Sequence, residues 1–137
     1  MSASIRNRVG EHVAEVATGD AAPRAIAIPP RDGAPGSSAS GGELLLLALA
    51  TCYGNDLYRE AAARGIAVDG VEVTAEADFP AAGSPASAVR YSVRVDSSAP
   101  EETVRELLLH TDAVAEIQAT VRSAIPVALT AMEIVSG

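Results

Sequence analysis

Gly41 to Cys52 reads GGELLLLALATC, and it decides how the rest of the chain is read. Its residues from Leu44 to Ala50 are apolar at every position, so the segment offers no polar face to water. A helix of that kind belongs inside protein rather than on a surface. At seven residues the run is too short to cross a bilayer. The segment continues as YGNDLYREAAAR, where apolar and charged residues separate onto two faces, with Asp56, Arg59, Glu60 and Arg64 expected in solvent. A single helix from Glu43 to Arg64 follows, with an acid near its start for the helix dipole and Gly65 as its stop. Gly54 lies in its interior and costs about 1 kcal/mol relative to alanine. Close approach of another backbone at that point would account for it.

Working outward from this helix, the C-terminal side carries the clearest strand signal. In VEVTAEADF, Val71, Val73, Ala75, Ala77 and Phe79 fall on one face and Glu72, Thr74, Glu76 and Asp78 on the other. In AVRYSVRVD, Val89, Tyr91, Val93 and Val95 face one way and Arg90, Ser92, Arg94 and Asp96 the other. Strict alternation predicts half-buried strands of an antiparallel hairpin, with acidic and basic outer faces paired across it. Ser98, Pro100, Glu101 and Glu102 make a helix start. Apolar residues then recur at spacings of three and four to about Arg122, predicting one or two helices, and Pro126 ends them. VALTAMEIV, Val127 to Val135, reads as a closing strand.

On the N-terminal side the pattern is weaker. Arg8 to Thr18 alternates loosely as a strand, Gly19-Asp20 is a turn, and Arg24 to Ile28 is a second short strand ended by Pro29-Pro30. Pro29 to Gly42 is a loop by composition. The order of strands, helix, strands, helix and strand predicts an α+β fold, in one domain over residues 1–137.

The bulk composition narrows the function classes. Aromatic residues make up 3% and tryptophan is absent, so the core is built from small and branched aliphatics, and a second copy would help such a thin core bury apolar surface. Ten arginines, no lysine and a net charge of −8 make the chain repel phosphate backbones, so nucleic acid is not an expected partner. Nor is a membrane. MSASIRNRVGEH has no apolar core of the signal-peptide type, and one cysteine forms no internal disulfide, so the expected location is cytoplasmic.

Chemistry-bearing motifs are few. His12 and His110 lack companions at metal-ligand spacing, and neither a phosphate-binding loop with its lysine nor a GxSxG elbow occurs. No cofactor or metal is expected. Cys52 remains. Inside a helix, with Asp56 one turn later adding negative charge, it reads locally as core filler more readily than as a nucleophile. An activating arginine would have to come from elsewhere in the fold.

Taken whole, the pattern resembles the OsmC/Ohr family, the osmotically inducible and organic hydroperoxide resistance proteins. That family has a loop leading into a buried helix of the form P-x-E-L-L-L-A-A-L-A-x-C, which GGELLLLALATC matches, followed here by GIAVDGVEV and paired strands. Its second helix, C-P-x-x-N-x-x-R, followed by V-x-L, fits Ala115 to Leu129 without gaps and places Arg122, Val127 and Leu129 on their counterparts. The resemblance implies antiparallel sheets packed around a long buried central helix, in an intertwined homodimer.

It also implies thiol chemistry in oxidative stress. In active members a peroxidatic cysteine attacks an organic hydroperoxide, an arginine stabilises its thiolate, a glutamate holds that arginine, and a second cysteine resolves the sulfenic acid. Cys52 matches the peroxidatic position. The resolving position falls on Ala115, and the glutamate position on Gly42 with Glu43 beside it. Arg24 is the nearest candidate for the arginine. The candidate site residues are therefore Cys52, Arg24 and Glu43. The resulting expectation is a one-cysteine peroxidase with peroxiredoxin-like activity, reducing organic hydroperoxides at the cost of an external thiol reductant. The alternative is a non-catalytic homodimer of the same family that binds a small apolar ligand.

Overall fold

The structure is a computed structural model, described here for residues 1–135. The chain folds into two compact units, Met1–Leu45 and Leu46–Gly137.

The first unit is a three-stranded antiparallel sheet in the order β1-β2-β3, with β1 Ser2–Arg8, β2 Glu11–Ala17 and β3 Arg24–Ala25. Val9 and Gly10 turn β1 into β2, and Gly10 takes the positive φ of 75° that the tight reversal requires. The weak alternation after Arg8 is thus a central strand. Its partner β1 escaped the sequence pattern because SASIRNR is mostly polar, with Ile5 its one large apolar residue, and is exposed at every position. β3 is shorter than the expected Arg24 to Ile28; only Arg24 and Ala25 pair, opposite Val16 and Glu15, with Ile26 donating one further bond to Ala14. The loop that follows is clasped by a bridge between Pro30 and Ser37, and the Ser37 hydroxyl lies 3.0 Å from His12 Nε2 on β2.

Helix α1, Gly41–Ala63, starts in this unit and continues through the second. A reciprocal capping box starts it: Ser40 N–H donates to Glu43 Oε1 at 2.9 Å and Glu43 N–H to Ser40 Oγ at 3.1 Å. At the other end Gly65 adopts φ 64° and Ile66 N–H returns to the Ala61 carbonyl.

The second unit sets the rest of α1 with a β4–β5 hairpin (Gly70–Asp78 and Ala88–Asp96) and helices α2 (Glu101–Val114) and α3 (Glu116–Ser123). Its core is Tyr53, Leu57, Ala61 and Leu107, flanked by Val71, Val73, Tyr91, Val93 and Val95 from the sheet. Alternation placed those strand residues correctly, while Phe79 and Val89 at the loop end of the hairpin are exposed. The outer faces pair as expected: Glu76 stands opposite Arg90, and Arg90 bridges Glu76 at 2.9 Å and Asp78 at 3.1 Å. Two helices, not one, follow. The chain breaks at Ala115, which is extended at ψ 114°. Pro100, rather than Ser98, precedes the first helical residue of α2.

Three expectations need correction. Val127 to Val135 is not a strand: the segment has no regular structure, and Leu129 is 81% exposed. A strand needs a neighbour to satisfy its backbone groups, and none of the described strands pairs with it. The all-apolar half of α1 is not enclosed within one chain, with Leu47 60% exposed. A side chain at Gly54 would meet open space, so among the second unit's described residues no backbone outside its own helix approaches it.

Candidate functional site

Cys52 sits on α1 between fully buried neighbours and solvent. Leu49, Tyr53 and Leu57 are buried, whereas Cys52 itself is half-buried. Helical spacing explains this position. Residues three and four apart share a face, so Leu49, Cys52, Tyr53 and Asp56 form one continuous patch, with Cys52 at its edge.

Asp56 is the residue that changes the reading of this thiol. It is 8% exposed, against the expectation that it lies in solvent. Cys52 Sγ donates to Asp56 Oδ2 at 3.7 Å, and Arg59 Nη1 donates to Asp56 Oδ1 at 2.9 Å. A buried carboxylate without a counter-charge would be strongly disfavoured, and Arg59 supplies that charge one turn away. Arg59 also reaches Glu60 at 3.5 Å, and Glu60 in turn meets Arg64 at 2.7 Å and His110 of α2 at 3.2 Å. Bonds from Arg64 hold the Glu60 carboxyl below the usual range despite opposing desolvation, with the charge of His110 adding to them. The sulfur therefore adjoins a run of alternating charges, Asp56, Arg59, Glu60 and Arg64, along one helix face.

Ala115, where the family resemblance places a resolving cysteine, is 0% exposed at the α2–α3 joint. Gln118, 3% exposed, donates from Nε2 to the Leu49 carbonyl at 2.9 Å, tying α3 to α1 in the turn that precedes the thiol.

The other two candidates belong to the first unit. Arg24 is exposed on β3 opposite Val16. Glu43 caps α1, and its carboxyl is held below the usual range by the backbone N–H and the hydroxyl of Ser40. Local sequence had weighed Asp56 only as a charge that opposes a thiolate and had passed over Arg59. The available signal was spacing: a cysteine followed four residues later by an acid, and that acid three residues later by an arginine.

A second polar cluster joins β5, α2 and α3. Tyr91 Oη donates to Asp112, and Arg122 Nη2 donates to the same carboxylate at 2.7 Å. Burial pushes the Asp112 carboxyl up, but the bonds from Arg122 and Tyr91 and the charge of Arg122 outweigh it and hold it down. Tyr53 donates to the Leu108 carbonyl at 2.8 Å, and burial, with the charge of Asp112, pushes its phenol up to about 12. Its ring tilts against Tyr91 with centroids 5.2 Å apart. This cluster locks the hairpin to both helices. Among the described residues no group of histidine, cysteine and acidic side chains forms a metal cage, and no helix is long and apolar enough to cross a membrane.

Comparison with known proteins agrees with this architecture. No curated protein matches the sequence. The fold resembles the crystal structure of an OsmC-like protein from Mycoplasma pneumoniae, with a TM-score of 0.62 and 16% identity over 89% of this chain and 88% of that one. It also resembles an OsmC-like protein of unknown function from Vibrio cholerae, with a TM-score of 0.56 and 14% identity over 87% and 91% of the two chains. Residues 34–130 match the family model described as OsmC-like protein. That match takes in the whole of α1 with its cysteine, the β4–β5 hairpin and both later helices, and the chain belongs to the OsmC-like protein family.

Proposed function

We propose that this protein is a thiol-dependent peroxidase that reduces organic hydroperoxides through Cys52. The observation that carries the reading is the position of the sulfur: half-buried at the edge of the α1 patch and bonded to a charged group, rather than sealed in hydrocarbon. A nucleophilic thiol needs both access and a polar environment that can take its proton. With one cysteine in the chain, attack on the hydroperoxide leaves a sulfenic acid that an external thiol must reduce. A reducing compartment such as the cytoplasm suits that cycle.

The active form in this proposal is a homodimer. Support comes from the apolar surface that one chain leaves uncovered: Leu47 on α1, and Val127, Leu129 and Ile134 beyond α3. Exposed apolar groups on this scale mark association surfaces.

A second reading is favoured by one observation. Ala115 is fully buried where a resolving thiol would stand, which fits a family member that keeps the scaffold and binds a small apolar molecule without turning it over. One experiment separates the two. Steady-state consumption of cumene hydroperoxide with a dithiol or monothiol reductant is expected for the wild type and is expected to vanish in Cys52→Ser while the oligomeric state is retained. Absence of turnover with every thiol tested would end the enzymatic reading and leave the binding one.

A further inference from the structure

We propose that Asp56 is the proton carrier of Cys52, its Oδ2 receiving the thiol proton and returning it to the leaving oxygen, while Arg59 holds the carboxylate through Oδ1. The proposal rests on the thiol reading above and deepens it by naming the group that manages the proton.

The geometry gives Asp56 two distinct hydrogen-bonded oxygens. Oδ2 accepts from the sulfur, and Oδ1 is occupied by the guanidinium, so the carboxylate cannot rotate away without losing a charged partner in a buried place. Two backbone turns of one helix carry all three groups, which makes the alignment as rigid as the helix itself. The surrounding charged and titratable groups are Glu60 and Arg64 on α1 and His110 from α2, whereas α3 contributes the neutral amide of Gln118 at Leu49. Within the second unit's described residues, then, Asp56 is the hydrogen-bond partner of the sulfur.

The step balances as follows. The S–H proton passes to Oδ2, and the thiolate attacks the terminal oxygen of the hydroperoxide. The O–O bond breaks as the S–O bond forms, and sulfur is oxidised to the sulfenic acid while the peroxide is reduced. The departing alkoxide takes the proton from Oδ2 and leaves as an alcohol, and the carboxylate is restored. An external thiol then converts the sulfenic acid to a mixed disulfide with loss of water, and a second thiol releases Cys52. As a carboxylate, Asp56 opposes loss of the thiol proton to bulk water; its contribution is to take that proton itself and return it.

That division makes opposite predictions for two reagents. Iodoacetamide alkylation expels iodide, which needs no proton, so its rate reads the thiolate population alone. Peroxide reduction expels an alkoxide, which needs one. In Asp56→Asn, alkylation of Cys52 at pH 6.5, followed by mass spectrometry of the intact chain, is expected to speed up severalfold. Sulfenic acid formation from cumene hydroperoxide in a single turnover at pH 7, trapped by dimedone, is expected to slow at least tenfold. Arg59→Met leaves the carboxylate uncompensated and is expected to slow alkylation, and Arg59→Lys to restore most of it. A role confined to packing would move both rates of Asp56→Asn in the same direction, and that result, like two unchanged rates, would overturn the proposal. A wild type that forms no sulfenic acid sinks the peroxidase reading and the proton return with it. A wild type that reacts while Asp56→Asn keeps its rate sinks the carrier alone.

Discussion

Val71 to Phe79 and Val127 to Val135 carry nearly the same message in sequence, alternating apolar residues with short or polar ones, yet they meet opposite fates. The first becomes β4, paired along its length with β5 and covered by α1 and α2 through Tyr53, Leu57 and Leu107. The second has no strand beside it, and its apolar residues from Val127 to Val135 face solvent. Alternation specifies which residues share a face. It does not specify a neighbour, and a strand without one cannot satisfy its backbone.

Placing a carboxylate on each segment sharpens the contrast and gives the largest effect. Val73→Asp puts an unpartnered charge against the core cluster and is expected to cost about 3 kcal/mol in urea denaturation. Leu129→Asp is expected to leave the unfolding of the single chain within about 0.5 kcal/mol of wild type. In sedimentation at micromolar concentration it is expected to shift the proposed dimer to monomer. Equal losses from both substitutions would show that the C-terminal segment is covered within its own chain.

A smaller effect tests what holds the covered segment in place. Tyr53→Phe keeps the ring against Tyr91 and removes only the bond to the Leu108 carbonyl, so a loss of about 1 kcal/mol is expected in the same assay. The smallest effect is electrostatic. Asp112→Asn weakens the tie among β5, α2 and α3, and because both side chains of the Arg122 pair are well exposed, screening limits the cost to about 0.5 kcal/mol at pH 7. The folded carboxyl titrates below its unfolded value of about 3.9, so this stability is present above that pH and is lost as pH falls through the lowered folded value. The gap between wild type and Asp112→Asn is expected to close below about pH 4, as thermal melts across pH 3 to 7 would record.

Much of this molecule was legible before folding. The long helix, the β4–β5 hairpin with its charge pairing and the family motif ending in Cys52 all follow from residue spacing, because period and punctuation are local properties. The site was legible only as far as the sulfur. Asp56 looked like a surface acid because the amphipathic half of α1 was divided by residue type, and a charged side chain is rarely buried unless it is paired. Its pairing with Arg59 and its burial beside Cys52 depend on which side of the helix the sheet and α2 cover. β1 was missed for the converse reason: a mostly polar, exposed edge strand carries no clear hydrophobic period and exists because β2 offers it hydrogen bonds.

From the order of residues alone came the class of fold and the place of the single thiol, since periodicity and punctuation need no neighbours to be read. Packing in three dimensions settled which alternating segment is a strand, which acid is buried and what the sulfur touches. Burial and hydrogen bonding are relations between segments distant in the chain or on a chosen helix face, and no single stretch of sequence contains them.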